Sequence, residues 1–216
     1  MEALSLVRFI HHGCVCFSDG KSVVYADPFL LPKDAPAADL VFITHNHSDH
    51  YSPKNLKKIC TPQTHFATTA EVAALLPRDL NVSDQQITIL KPGAPRADFP
   101  CGASAEAVPA VNKNHPAGFG FGIVLTFGGF TYYVSGDTDT LAPNIPCDVL
   151  FVVCDGIWNM PHYAKVVPAQ LSAMRTRPAL VVPYHYGSYA PGTGRNGRKL
   201  CDALAAAGIP CREFSA

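Results

Sequence analysis

Three histidines and one aspartate fall within six consecutive positions, as His45, His47, Asp49 and His50. In an extended chain, residues two apart point to the same side, so His45 and His47 can face one ion. Asp49 and His50 follow where the chain must turn, and they are available for a second ion. Imidazole and carboxylate groups are ligands of zinc, iron and manganese. The segment therefore predicts a metal site.

Two plainer interpretations of this segment compete with a reactive site. One is a solvated loop that happens to be rich in histidine, and the other is a metal site with a structural role only. The chain has nine histidines in 216 residues, so three within six positions is a large local excess. Structural zinc sites usually recruit cysteine, and the segment contains none. Both observations favour a metal site that carries out chemistry.

The residues before the segment support the same interpretation. Leu40–Ile43 is a short, continuous apolar run, as expected for a strand buried on both faces. Ligand sites of α/β proteins usually lie just past the carboxyl ends of such strands. The histidine-rich segment is predicted to lie at such an end.

Further short apolar runs alternate with segments of helical pattern along the chain. Strands are predicted at 4–10, 14–17, 23–26, 40–43, 86–90, 104–111, 121–127, 130–134, 149–153, 179–183 and 212–214. Helices are predicted at 53–59 with Ser52 as N-cap, and at 69–76, 168–175 and 198–207. Asp19-Gly20 and Gly128-Gly129 predict hairpin turns, and 92–102 is predicted to be a loop. This order predicts an α/β fold, a four-layer αβ/βα sandwich, with residues 1–216 forming one domain.

Composition limits the kinds of partner. Lysine plus arginine equals aspartate plus glutamate at 17 each, which argues against broad binding to nucleic acid. No apolar stretch reaches the roughly 20 residues of a membrane span, and the N-terminus does not resemble a signal peptide. We therefore expect a cytoplasmic protein with a small-molecule substrate, and a homodimer is left open. The eight cysteines are scattered without a CxxC pair and are expected to be reduced thiols.

The pattern HxHxDH at the end of an apolar strand resembles the signature of the metallo-β-lactamase superfamily. Further landmarks resemble that family in the same order: Asp27 in Tyr-Ala-Asp-Pro, His115 in Asn-His-Pro-Ala-Gly, Asp137 in Ser-Gly-Asp-Thr and His185 in Pro-Tyr-His-Tyr-Gly. The resemblance implies two divalent metal ions, with zinc expected and manganese or iron left open. It implies that the first ion is held by His45, His47 and His115, the second by Asp49, His50 and His185, and both by Asp137.

Such a pair of ions would activate water. Two ions ~3.5–4 Å apart share a water or hydroxide whose pKa falls from ~15.7 towards ~7. Asp49 is then a candidate catalytic residue that orients the nucleophile and passes a proton to the leaving group. His12 and Tyr184 are candidates for contacts to the oxyanion or leaving group, although His12 also fits a structural role. Asp139 is expected to cap a turn or orient a ligand.

The substrate is less constrained. The motifs most resemble the compact branch that contains ascorbate-6-phosphate lactonase, which implies a hydrolase acting on a lactone, ester or amide. Residues 154–158, Cys-Asp-Gly-Ile-Trp, depart from the Pro- and Gly-rich loop expected in that branch. A phosphodiesterase or phospholipase-D-like enzyme is the second hypothesis. An iron-binding redox protein or a metal-binding scaffold without turnover is the third.

Overall fold

Two mixed β-sheets form the centre of the protein in the computed structural model, which describes residues 2–187 and 189–214. The first sheet has the strand order β1-β2-β3-β4-β5-β6 and the second has the order β12-β11-β10-β9-β8-β7. The strands of the first sheet are β1 Val7–His11, β2 Cys14–Ser18, β3 Val23–Ala26, β4 Leu40–Ile43, β5 His65–Thr68 and β6 Ile87–Ile89. Those of the second are β7 Ala97–Asp98, β8 Ser104–Ala110, β9 Gly120–Phe127, β10 Phe130–Val134, β11 Val149–Val153 and β12 Leu180–Tyr184.

Four helices flank the sheets within the described residues: α1 Pro53–Ile59, α2 Ala70–Leu80, α3 Tyr163–Ala173 and α4 Asn196–Ala206. The predicted α/β sandwich is confirmed. None of these helices has the length and apolar character needed to cross a bilayer.

Strand β4 shows how alternation builds the layers. All four of its residues are buried. Leu40 and Phe42 pack into the core between the sheets, whereas Val41 and Ile43 pack into a second core with Leu56 of α1 and other helix residues. Successive strand residues point to opposite faces, so a continuous apolar run belongs to a strand covered on both sides. The prediction for this strand is confirmed.

Both hairpin turns and most strands lie where the sequence predicts them, with β2 antiparallel to β3 and β9 antiparallel to β10. Two predicted strands and one predicted loop need correction. Residues 2–6 form a 3₁₀ turn before β1, the loop at 92–102 contains the short strand β7, and 212–214 contributes no strand beyond a bridge between Val181 and Cys211. Strand β5 was missed by the sequence analysis.

The helix ends also differ from the predictions. Thr69 caps α2 through its hydroxyl, as expected, but that helix continues through Pro77 to Leu80. Helix α3 begins at Tyr163, five residues before the predicted start, so Pro168 lies inside it. Ser52 occupies the N-cap of α1 but makes no side-chain cap bond. Its hydroxyl instead accepts a hydrogen bond from the Asn55 amide.

The prediction that every cysteine is a free thiol is wrong for one pair. Cys201 of α4 is bonded to Cys211, and their Cα atoms are 5.1 Å apart. Gly208 adopts a positive φ of 69° after the helix and turns the chain back. The returning segment then hydrogen-bonds along β12, with Val181 N–H donating to Pro210 and Arg212 N–H donating to Val181. The pairing depends on this turn, which cysteine spacing alone does not show.

Candidate metal centre

The candidate residues all come from positions just past the carboxyl ends of strands. From the first sheet, His12 follows β1, Asp27 follows β3, and the segment 45–50 follows β4. The second sheet contributes residues that follow β8, β10, β11 and β12, and these are His115, Asp137, Asp155 and His185. The strand ends of both sheets therefore meet at one edge of the sandwich, the usual place for ligand sites in α/β proteins.

Three imidazoles meet at the first group. His47 Nδ1 lies 3.1 Å from His45 Nε2 and 3.1 Å from His115 Nε2. A ring nitrogen offers a single lone pair or a single hydrogen, so His47 Nδ1 cannot serve both neighbours well by hydrogen bonding. Tetrahedral zinc with bonds of ~2.0–2.1 Å places its nitrogen ligands roughly 3.3 Å apart. The spacing of these three nitrogens therefore fits one metal ion.

Two imidazoles and two carboxylates meet at the second group. His50 Nε2 and His185 Nε2 are 3.3 Å apart, and they lie 3.5 and 3.3 Å from Asp137 Oδ1. Asp49 Oδ2 lies 3.7 Å from His50 Nε2 and 3.8 Å from His185 Nε2. Asp137 Oδ1 is buried without a hydrogen-bond partner among the described residues. A buried carboxylate oxygen with no partner is costly unless a cation completes it, so this group also fits a metal.

The imidazole nitrogens that point away from the two groups contact neighbouring side chains. Asp27 Oδ2 contacts His50 Nδ1 at 2.8 Å, and Asp155 Oδ2 contacts His185 Nδ1 at 3.1 Å. Thr44 Oγ1 contacts His45 Nδ1 at 3.0 Å and donates to Asp27 Oδ2 at 2.8 Å. Carboxylate and hydroxyl partners of this kind fix the tautomer and direction of metal-binding imidazoles. Asp27 thus orders the segment at 44–50.

Three residues of the site also have unusual backbone conformations. Asp27 and His185 have φ values of +47° and +60°, and His12 has +51°. Such conformations cost about 1–3 kcal/mol each in non-glycine residues and persist where surrounding contacts over-determine them. The positive φ at His185 turns the chain directly after Tyr184. The tyrosine side chain stays in the core, whereas the histidine side chain enters the site.

Gly13 allows the chain to approach the rings closely. A Cβ at this position would lie 3.2 Å from His185 Cδ2 and 3.4 Å from His50 Cε1. Both contacts are at or below ordinary van der Waals distance, and the two rings are held from behind by Asp155 and Asp27. A side chain here would therefore press directly on the second group.

The electrostatics favour a cation at the second group. Burial lowers the pKa of His50, but the Asp27 and Asp137 carboxylates outweigh it and raise that pKa to about 10. Burial opposes ionisation of Asp49, yet the hydrogen bond from His12 and the charges of His50 and His185 hold its pKa well below the usual range. At His45, by contrast, burial and then the neighbouring imidazoles lower the pKa well below its ordinary value.

The two proposed catalytic partners of Asp49 have different surroundings. His12 is buried, with Nε2 3.3 Å from Asp49 Oδ2 and its ring centroid 3.7 Å from that of His185. Tyr184 is fully buried in the core and does not line the cavity in front of the groups, so the placement expected of it at the substrate is corrected. The phenol that does line the cavity belongs to Tyr189, whose ring lies 4.8 Å from the His12 ring.

Sequence analysis missed three residues of the site: Asp155, Asn159 and Asn112. Asn159 is buried, and its amide donates to Asp137 Oδ2 at 3.1 Å and to Asp155 Oδ2 at 2.8 Å. Its Oδ1 accepts from Asn112, whose amide also contacts His115 Nδ1 at 2.7 Å. The position of Asp155 directly after the apolar run of β11 was the one available signal. Asp139 Oδ1 accepts a hydrogen bond from Met160 N–H at 2.6 Å, which connects two loops that are distant in sequence.

A cavity of about 610 Å³ opens in front of both groups. His47, Asp49, His115, Asp137 and His185 face it, and its outer walls include Trp158 and Tyr189. A cavity of this size accommodates an ordinary small-molecule ligand.

Residues 6–185 match the family described as the β-lactamase superfamily domain. A metal-dependent hydrolase from Thermus thermophilus is 27% identical over 202 residues, covering 86% of this chain and 85% of the relative. Another from Thermoplasma acidophilum is 28% identical over 204 residues, covering 85% and 84%. A solved structure of a metal-dependent hydrolase from Parabacteroides distasonis is 27% identical, with a TM-score of 0.74 over 96% of this chain and 91% of that chain. The family match, together with the fold, shows that the chain belongs to the metallo-β-lactamase superfamily.

Proposed function

We propose that this protein is a dinuclear metal-dependent hydrolase of small lactones, esters or amides. The proposal rests on two groups of ligand-type side chains that meet in front of one cavity. Asp137 belongs to the second group, and His45 of the first group lies close to both. The relatives described above are named as metal-dependent hydrolases, which supports the reaction class.

In this proposal, His45, His47 and His115 hold one divalent ion. Asp49, His50 and His185 hold a second, and Asp137 is shared. The imidazole and carboxylate donors fit zinc, and they also fit manganese or iron. Bound ions of this kind supply Lewis acidity and an ionised water at neutral pH.

The chain's own residues would position the reactants and move the proton. Asp49 faces the cavity, and its lowered pKa keeps it a carboxylate that can orient a water by accepting a hydrogen bond. Passing a proton to the leaving group is the further role proposed for it. His12 lies 3.3 Å from Asp49 Oδ2 and can fix the direction of that carboxylate. Tyr189 lines the same cavity with its ring 4.8 Å from that of His12, and it offers a phenol for the contact first expected of Tyr184.

A carbonyl substrate is favoured over a phosphodiester by the charge of the cavity. No lysine or arginine among the described residues lines it, and Lys113, next to the lining residue Asn114, stays outside. Recognition of phosphate usually relies on such cations. The metal ions would then be the main positive charge, which suits a neutral substrate whose charge develops during the reaction.

A metal-loaded activity screen tests the proposal. The purified protein is analysed for bound metal, reloaded with zinc, manganese or iron, and assayed on a lactone, a thioester, an aryl acetate and bis-(p-nitrophenyl) phosphate. We expect about two metal ions per chain and turnover of the carbonyl substrates. Preference for the phosphodiester would show that the protein is a phosphodiesterase or phospholipase-D-like enzyme instead. Stoichiometric iron with a visible spectrum and no hydrolysis would support an iron-binding redox protein.

Asp49→Ala provides the matching variant. We expect at least a roughly 100-fold loss of kcat, since Asp49 combines proton transfer with metal binding, and a metal content reduced towards one ion. Asp98→Ala removes an exposed carboxylate on β7 and serves as the control. Full activity and two retained ions in Asp49→Ala would overturn the assignment.

A further inference from the structure

The mouth of the cavity carries large apolar side chains that the protein leaves exposed. Among the described residues, six large hydrophobic side chains are exposed; two of them, Trp158 and Tyr189, line the cavity, and Ile157 directly precedes Trp158 in the chain. Leu30 adjoins Phe29, whose ring lies 4.8 Å from that of Tyr189. A concentration of exposed apolar surface at a cavity marks a binding site more often than chance exposure does.

Trp158 stands on the side of the first group and is held there by its backbone. Asp155 Oδ1 accepts hydrogen bonds from Ile157 N–H at 2.8 Å and Trp158 N–H at 2.7 Å. Asn114, beside His115, donates to the Trp158 carbonyl at 3.3 Å. The same Asp155 holds His185 through its other oxygen. The backbone that carries the indole is therefore fixed relative to His115 and His185.

Tyr189 stands on the side of the second group. Its ring packs 4.8 Å from His12 and 4.8 Å, edge on, from Phe29. His12 in turn contacts Asp49 and His185. Two aromatic walls thus rise on the two sides of the ligand groups, and both line the same cavity.

From these walls we infer the substrate class: an uncharged ester, lactone or amide whose acyl part carries an apolar group, aromatic or branched, that packs between Trp158 and Tyr189. This inference rests on the proposed function and deepens it. The reacting carbonyl would lie against Asp49, Asp137 and His185. The apolar group would cover the solvent-exposed aromatic surfaces of the two walls. Binding there releases water from both surfaces, which favours an apolar group over a charged one.

A carboxylate or phosphate on the acyl part would find no complement in this part of the cavity. Described side chains that line it include the carboxylates Asp49 and Asp137, and none of them is a lysine or arginine. An anion packed between the two aromatic walls, beyond the groups that would hold the metal ions, costs desolvation without a hydrogen-bonded cation to offset it. The cavity therefore discriminates by charge as well as by shape.

Three p-nitrophenyl esters with the same leaving group test the inference on the metal-loaded protein: the acetate, the phenylacetate and the hemisuccinate. The acyl part of the acetate carries only a methyl group, that of the phenylacetate adds an aromatic ring, and that of the hemisuccinate adds a carboxylate. We expect kcat/KM for the phenylacetate to exceed that for the acetate by roughly tenfold or more, because apolar pockets discriminate on this scale. The hemisuccinate is expected to be the poorest of the three.

Trp158→Ala and Tyr189→Ala are expected to reduce the ratio of phenylacetate to acetate kcat/KM towards one, mainly by raising KM for the phenylacetate. Ile89→Ala removes an equally exposed apolar side chain on β6, away from the cavity, and is expected to leave the ratio unchanged. Gel filtration of all three variants shows whether the rim holds a second copy of the chain instead. A change of oligomeric state in both rim variants with an unchanged ratio would overturn the inference.

The two proposals fail in different ways. If the metal-loaded wild type hydrolyses none of the carbonyl substrates, the proposed function itself is wrong. If it hydrolyses the acetate at least as well as the phenylacetate, or prefers the hemisuccinate, the hydrolase assignment stands and the inference about the apolar walls is overturned.

Discussion

At the scale of single residues, the site consists of ligand-type side chains whose second atoms are already engaged. His50, His115 and His185 each use Nδ1 for a fixed partner and turn Nε2 towards the site. Asp137 divides its two oxygens in the same way, with Oδ2 bound by Asn159 and Oδ1 facing His50 and His185. The direction of these four side chains is thus set before any metal binds, which would reduce the cost of binding it.

Asn159 is the residue that joins these partners. Asn159→Ala leaves Asp137 Oδ2 without its amide donor and removes one of the partners of Asp155. We expect metal affinity to fall about 10–100-fold, as is typical when a partner of a metal ligand is lost. Competition with a chromophoric chelator measures this without relying on activity.

Asn55→Ala is the matched control for that experiment. Asn55 is also a buried asparagine, and its side chain binds Leu31 N–H and Ser52 rather than a metal ligand. Equal losses of metal affinity in the two variants would show that Asn159 acts through general stability and not through the ligands.

The raised pKa of His50 predicts how metal binding depends on pH. With a pKa of about 10, the metal-free imidazole carries its proton at neutral pH, and a metal ion must displace that proton. Affinity of the second group is therefore expected to rise with pH over the range below about 10, with release of a proton on binding. Titration in weakly buffered solution with a pH indicator measures the release. Binding of the second ion with no proton released and no dependence on pH would contradict the prediction.

At the scale of elements, each ligand segment begins where a strand stops. The parallel strands β3 and β4 of the first sheet, and β10, β11 and β12 of the second, end at the same edge of the sandwich. The residues that reach one volume lie just after these strand ends, and they are Asp27, His45, Asp137, Asp155 and His185. Strands fix where these loops start, so short loops can hold ligands accurately.

The disulfide between Cys201 and Cys211 connects helix α4 to the segment beside β12. It closes a loop with a sequence separation of 10 residues, for which loop-closure entropy predicts about 3 kcal/mol of stabilisation. Cys211→Ser is therefore expected to lower the melting temperature by roughly 5–10 °C. Thermal unfolding followed by circular dichroism measures the change. Cys101→Ser, which replaces a free and partly buried thiol, is the control. An unchanged melting temperature in Cys211→Ser would show that the bond contributes no stability.

At the scale of the whole molecule, the site joins the two sheets. The first sheet provides His12 and the segment 45–50, and the second provides His115, Asp137 and His185. The core between the sheets combines residues from both, such as Phe17 and Phe42 with Phe127 and Phe151. Metal ions at the site would add a second connection between the sheets at their common edge.

Removal of metal is therefore expected to destabilise the protein as a whole. A ligand present at ~1,000 times its Kd stabilises the folded state by about 4 kcal/mol, which corresponds to roughly 10 °C for a chain of this size. Calorimetry before and after dialysis against a chelator measures the shift, and we expect one cooperative transition in both states. Two separate transitions would contradict a single domain spanning 1–216.

The sequence alone carries the features that depend on neighbours along the chain. The spacing of histidine and aspartate identifies the cluster at 45–50. A continuous apolar run identifies β4, and Gly-containing turns identify the hairpins. These signals are local because side-chain direction in a strand alternates with every residue and tight turns need particular backbone angles. The order of the remaining ligand-type residues came from resemblance, since no local rule brings position 45 next to position 115.

Only the tertiary structure decided which side chains at the strand ends face the site. Tyr184 and His185 are adjacent, yet one packs in the core and the other reaches the second group, because the chain turns through a positive φ between them. Asn112 and Asn159 lie 47 positions apart and meet beside Asp137. Contacts of this kind depend on how two sheets pack and where each loop turns, and those are properties of the folded chain that spacing along the sequence does not encode.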